Sequence, residues 1–173
     1  MGRVAALDRR RARRIRQHAV RPGLLSLHQR RFRAPLWQYV LGGDIWTVAT
    51  APVVYALAIP FALLDASVMV FQAVCFRAWG IARVPRRAYF AIDRHRLAYL
   101  NALEKANCLY CGYANGVLGY VREVAARTEQ YWCPIRHGRR IRGAHARYEA
   151  FVRYGDAPGF RQSLPALRAQ LKK

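Results

Sequence analysis

"IWTVATAPVVYALAIPFALLDASVMVFQAVCF", Ile45 to Phe76, contains one charged residue, Asp65. A soluble domain seldom carries such a run. Beyond about 18 residues it reads as a membrane segment rather than a buried core helix. As one straight helix it would be about 48 Å long, against a hydrocarbon core of about 30 Å. Pro60 removes a backbone hydrogen bond near the middle, and Asp65 is costly in lipid without a partner. The run therefore divides into a part ending at Leu64 and a shorter part beyond it. Two arrangements follow: Ile45–Leu64 crosses the bilayer as a single span, or the chain enters, turns near Pro60 and leaves by the same face as a re-entrant hairpin.

The flanks bear on that choice. "RRRARRIR" (Arg9–Arg16) and "RRF" (Arg30–Phe32) precede the segment, and Arg77, Arg83, Arg86 and Arg87 follow it. Cytoplasmic loops carry the excess of Lys and Arg, so basic residues on both flanks favour the hairpin with both ends cytoplasmic. Trp37, Tyr39 and Trp46 before the segment, and Phe76 and Trp79 at its end, suit interfacial anchoring in either arrangement.

Across its 173 residues the chain has 30 Lys and Arg against 9 Asp and Glu, for a formal net charge of +21. Lysines occur only at Lys105, Lys172 and Lys173, so the charge is almost entirely arginine, which favours forked contacts with phosphate or carboxylate. An anionic lipid surface and nucleic acid both qualify as partners, and so does the bland alternative of genomic base bias. Residues 1–33 hold eleven arginines and one acid, Asp8. They lack the apolar core of a secretory signal, and a single serine, Ser26, fits a transit peptide poorly. They read as a basic arm on the lipid surface, partly helical around Val4–Ala19, or as a solvated tail.

From Tyr89 the pattern becomes helical. "AIDRHRLAYLNALEKANCLY" predicts one helix and "GVLGYVREVAARTEQYW" a second, with "CGYANG" as the turn between them. A third helix is expected over Arg142–Tyr154 and a short one near Lys173. The predicted fold is mainly α: a membrane-embedded helical segment, re-entrant hairpin or single span, followed by a small helical unit. The expected organisation is a basic arm (1–33), the apolar segment with its flanks (34–88), a Cys/His unit (89–140) and C-terminal helices (141–173).

Cys108-x2-Cys111 and Cys133-x3-His137 together supply three thiols and an imidazole, the donor set and number that tetrahedral Zn²⁺ prefers. Reduced thiols and a cytoplasmic position agree with that. Geometry attaches a condition. If residues 112–132 form one straight helix, Cys111 and Cys133 lie about 30 Å apart, so a shared ion requires the chain to turn at Gly116–Gly119. A mixed site of Asp93, His95, Cys133 and His137 is the alternative, and the absence of any metal is another. Iron or an iron–sulfur cluster fits the same donors as zinc, whereas c-type haem does not, because Gly112 stands where CxxCH needs its histidine. Asn101, Asn107 and Asn115 are candidates for hydrogen bonds to the ligands. Asp93 also reads as a helix N-cap, Glu123 and Arg127 as a surface ion pair, and Tyr110, Tyr113, Tyr120, Tyr131 and Trp132 as core or interface aromatics that could instead stack on bases. Cys75 reads as a packing residue or an acylation site. No adjacent acidic pair and no phosphate-cradling loop points to an enzyme.

The segments "YFAIDRH" (Tyr89–His95), "CLYCGYANG" (Cys108–Gly116) and "ARTEQYWCPIRH" (Ala126–His137), together with the preceding apolar run, resemble a family of small, uncharacterised proteobacterial membrane proteins. The resemblance covers about residues 40–155. It implies residence in a bacterial membrane, taken here as the inner membrane with the soluble parts cytoplasmic, and treats Cys108, Cys111, Cys133 and His137 as motif positions. It implies no activity. The expected function is a membrane-associated, zinc-binding structural or adaptor protein, with a membrane protein as a possible partner; the alternatives are a redox accessory carrying iron and a nucleic-acid-binding zinc module.

Overall fold

A computed structural model describes residues 29–172, so the first 28 residues of the expected basic arm lie outside the described residues. The architecture is helical, and the described residues contain no strand, only an isolated parallel bridge between Ile135 and Val152. The helices are α1 (Leu36–Leu41), α2 (Ile45–Trp79), α3 (Ala102–Trp132) and α4 (Ala157–Ala169). By contacts the described residues form two units, 29–49 with 93–109 and 50–92 with 110–172.

In the first unit, α3 begins with a capping box. The Asn101 Oδ1 accepts from the Glu104 backbone N–H at 3.0 Å, and the Glu104 carboxylate accepts from the Asn101 N–H at 2.8 Å. Two otherwise orphaned donors at the helix start are thereby satisfied. Asp93 makes no side-chain cap; it precedes a single 3₁₀ turn, Arg94–Arg96, so the predicted first helix begins at Ala102, not near Ala91.

In the second unit, α2 passes Pro60 without turning. Leu57 keeps a helical backbone (φ −63°, ψ −13°), and the Phe61 N–H bonds to the Leu57 carbonyl at 3.2 Å. Proline costs this helix one hydrogen bond, whereas a hairpin would strip several backbone groups of partners in an apolar stretch. The re-entrant turn is therefore not formed: α2 is a single helix of 35 residues, long and apolar enough to cross a membrane. Its last part contains one π-helical turn, Gln72–Phe76, before Gly80 ends it in the left-handed conformation (φ 69°).

After Gly80 the chain runs back along α2 as an irregular strap. Gln72 is 3% exposed and holds the strap from both sides: its Oε1 accepts from the Val84 N–H at 2.7 Å, and its Nε2 reaches the Val84 carbonyl and the Tyr120 hydroxyl. Contacts between α2 and α3 ascend together, with Tyr55 on Tyr110, Asp65 on Tyr113, Gln72 on Tyr120 and Trp79 on Tyr131. These stretches thus run in the same direction, which only a returning strap allows. The core comprises Phe76, Ile81, Val84, Tyr120, Val124 and Leu171. The C-terminal segment closes it through Gln130 Nε2 to the Leu167 carbonyl, Arg168 Nε to the Tyr131 carbonyl and Ala82 N–H to the Leu171 carbonyl, each at 2.8 Å. The expected helix over Arg142–Tyr154 is not formed; those residues hold only a 3₁₀ turn, Tyr148–Ala150.

The predicted turn "CGYANG" is the middle of α3. Its glycines serve packing: a Cβ at Gly112 would stand 3.3 Å from the Ala91 carbonyl, at Gly119 3.2 Å from the Tyr89 ring, and at Gly116 2.7 Å from the Phe90 ring. Spacing of four and three puts all three on the helix face that receives the strap. On an open helix face Gly→Ala stabilises by about 1 kcal/mol. Here the sign reverses: Gly116→Ala is expected to lower stability by about 1 kcal/mol or more because the Phe90 ring must move. Asn115→Ala, on the exposed side, is expected to stay within about 0.5 kcal/mol of the parent. Thermal or urea melting of the two variants measures both, and a stabilised Gly116→Ala would contradict this packing.

Candidate functional site: a buried ion pair and the separated cysteines

The Asp65 side chain lies on the inner face of α2 and is 4% exposed as a residue. Arg86, on the strap, grips it with both arms of its fork, Nε to Oδ1 at 2.9 Å and an Nη to Oδ2 at 2.5 Å. The Tyr113 hydroxyl donates to Oδ2 at 3.2 Å. The guanidinium also stands 3.9 Å from the centre of the Phe90 ring, the ring that packs against Gly116. Hydrogen bonding and charge from Asp65 outweigh burial and hold Arg86 ionised above its ordinary range. Burial, then the adjoining carboxylate, pushes the Tyr113 phenol up, which keeps it a donor. The carboxylate that stood alone in the sequence thus has two partners, 21 and 48 positions away.

A second polar cluster lies further along α3. Glu123 accepts from Arg127 at 2.9 Å and from Arg147 at 2.8 Å, and Arg147 also donates to Gln130 Oε1 at 2.9 Å. Burial resists ionisation of Glu123, but hydrogen bonds and charge from Arg147 and Arg127 prevail and hold the carboxyl below the ordinary 4.5. The predicted Glu123–Arg127 pair is therefore present as part of a half-buried network. Glu129 meets His145 Nε2 at 2.9 Å, and His145 packs on Tyr148 and Phe151.

The predicted metal ligands are not gathered. Cys108 and Cys111 lie three positions apart on α3, the first half-buried and the second exposed, while Cys133 lies just past the helix's far end. Because α3 is unbroken through Gly116 and Gly119, 22 positions at 1.5 Å separate Cys111 from Cys133 by about 33 Å. His137 continues away from the helix, its backbone N–H on the Tyr148 hydroxyl at 2.6 Å and its ring stacked on that of Tyr148. Among the described residues no group of three or more His, Cys, Asp or Glu is placed to hold a metal ion, which includes the mixed set Asp93, His95, Cys133 and His137. Asn115 donates to the Cys111 carbonyl within its own helix, Asn107 is half-buried on α3, and Asn101 is the cap. All four cysteines are free thiols, Cys75 half-buried. Of the aromatics that could stack on bases, Tyr120 is 1% exposed and Tyr131 lies flat on Trp79 at 5.4 Å, whereas Trp132 is 51% exposed.

No family model, curated protein or solved structure matches this chain. The likeness drawn from the three motifs stands on those motifs alone.

Removing the Asp65 charge weakens two charge-assisted hydrogen bonds from Arg86, whose own side chain is 38% exposed, and the bond from Tyr113. Asp65→Asn is expected to lower stability by about 2 kcal/mol, and Asp65→Asn with Arg86→Met by less than the sum of the single changes, in a double-mutant cycle read by chemical denaturation. For Glu123 the folded value is depressed, so its stabilisation is present above the unfolded value and is lost as pH falls through the folded one. The parent should lose stability on acidification below about pH 4.5, and Glu123→Gln should flatten that loss. Because the unbroken α3 holds Cys111 and Cys133 about 33 Å apart, Cys111→Ser is expected to leave the response of the melting temperature to a chelator the same as in the parent.

Proposed function

We propose that this protein is a non-enzymatic membrane-anchored adaptor: α2 is buried in a bilayer, and the arginine-rich helical unit is held against the anionic lipid surface. The observation that carries the reading is the exposure of α2. Ile45, Trp46, Val53, Leu57, Ile59 and Leu63 are all half-exposed or more, with Ile45 at 70% and Trp46 at 73%. A water-soluble monomer rarely leaves so long an apolar face open. Ile45–Leu64 is 20 residues, about 30 Å of helix, the thickness of a hydrocarbon core. Asp65, the first charged residue beyond it, is neutralised by Arg86 at that boundary.

Arg139, Arg140 and Arg142 are exposed on the loop after α3 and have no ion-pair partner among the described residues. Basic residues near an anionic leaflet contribute about 1 kcal/mol each, which supports lipid headgroups as the anionic partner. With Tyr120 and Tyr131 turned inward, stacking on bases has less support than lipid contact. Zinc and iron have no part in this reading, because they require Cys111 and Cys133 to share one coordination shell.

The full chain is expected to remain in the membrane pellet through alkaline and high-salt washes. Val53→Arg with Leu57→Arg places two charges on the exposed face near the middle of the span, each costing about 3 kcal/mol in a bilayer and almost nothing in water. Release of this double variant into the soluble fraction with its helix content intact supports the anchor. A parent chain that is soluble and monomeric without detergent overturns it.

A further inference from the structure

Beyond Leu64 the exposed apolar surface of α2 continues through Met69, Val70 and Val74. Beside it, Val68 and Phe71 of α2 and Val121, Val124, Ala125 and Trp132 of α3 line an open groove with a volume of 480 Å³. The polar groups at its edge are already engaged. The Thr128 hydroxyl donates to the Val124 carbonyl of its own helix at 2.9 Å, and Glu129 is paired with His145. Apart from the Cys133 thiol the groove offers no unengaged polar group, a lining that suits a hydrocarbon occupant. Its lip is continuous with the face of α2 assigned to lipid, and Cys133 marks its outer end.

We infer that this groove seats one acyl chain of a membrane phospholipid, drawn from the leaflet along Leu64 and Val68, so that the protein binds an individual lipid as well as the bilayer. This inference rests on the membrane reading of α2. An acyl chain suits the site on three grounds. The groove is lined mostly by apolar side chains, it adjoins the exposed apolar residues Met69, Val70 and Val74 that continue the lipid-facing surface of α2 past Leu64, and both walls are helices held in place by the Gln72 and Asp65 bonds. A chain entering it exchanges lipid neighbours for protein side chains, and Trp132 stands half-exposed at the rim to cover it.

The test uses the full chain in phosphatidylcholine vesicles containing phosphatidylglycerol with a photoactivatable diazirine near the end of one acyl chain. After illumination, adducts are mapped by peptide mass spectrometry. Adducts are expected on α3 between Val121 and Cys133 as well as on Ile45–Leu64. Ala125→Trp, which fills the groove from a partly solvent-facing position, should lower the α3 adducts about tenfold and leave those on Ile45–Leu64 unchanged. The mapping of the parent chain stands even if that variant folds poorly. Adducts confined to Ile45–Leu64 overturn the groove and leave the membrane anchor standing, whereas adducts nowhere overturn both. Labelling of α3 that is equal in the parent and in a folded Ala125→Trp also overturns the groove. So does chain-to-chain crosslinking at Cys133 by a short bis-maleimide in place of lipid adducts, which would make the occupant a second copy.

Discussion

A carboxylate inside the apolar run of α2 is the constraint from which the second unit follows. Asp65 cannot remain ionised and apolar-facing without donors, and no residue of its own helix can supply them. Arg86 does so from the strap, in the forked geometry that only a guanidinium offers, and Tyr113 adds a third donor from α3. Three segments are thereby tied at one point. One helical turn or two further along, Gln72 repeats the arrangement with neutral groups, joining α2 to Val84 of the strap and to Tyr120 of α3. Such ties contribute little net energy over an apolar core, but they are directional, and they fix which face of α2 the strap covers.

Once the strap is fixed to α2, α3 must approach it closely, and this explains the glycines. Tyr89, Phe90 and Ala91 lie against Gly119, Gly116 and Gly112 in antiparallel order. Phe90 serves both sides, receiving the Arg86 guanidinium on its face and filling the space that a side chain at Gly116 would occupy. The same glycines would have been needed as a hinge to bring Cys133 back to Cys108 and Cys111. They cannot serve as a hinge while they are the contact face of a continuous helix.

Much of the composition-level reading was legible. The apolar run, its boundaries, the mainly helical class and the Glu123–Arg127 pair all follow from periodicity and local spacing. The errors share one cause. "CGYANG" has turn composition because Gly and Asn are intrinsically poor in helices, yet burial against Tyr89–Ala91 overrides a propensity deficit of about 1 kcal/mol per residue. Likewise Pro60 signals a break, but one missing hydrogen bond is a smaller loss than a turn in an apolar stretch. Arg86, Gln72 and Tyr113 carried no local signal at all, because their partners lie 12 to 48 positions away. Asn101 did carry one: Asn-x-x-Glu before an apolar-periodic stretch is the sequence form of a capping box.

The arginine excess divides into two populations with different physics. Arg86, Arg122, Arg127, Arg147 and Arg168 all point into the second unit and donate to a carboxylate or to backbone carbonyls, often from two nitrogens. Lysine could neutralise charge at such positions, but it could not span two acceptors in a fixed plane, so these arginines are explained by folding alone. Arg139, Arg140 and Arg142 make no such bonds and stand exposed beyond α3. Net charge counts both populations equally, although only the second is available to an outside partner. Arg77, Arg83, Arg87, Arg153 and Arg161 are exposed as well and belong with the second population, so the surface that a leaflet would meet is less basic than +21 suggests but carries its charge at several places along the chain.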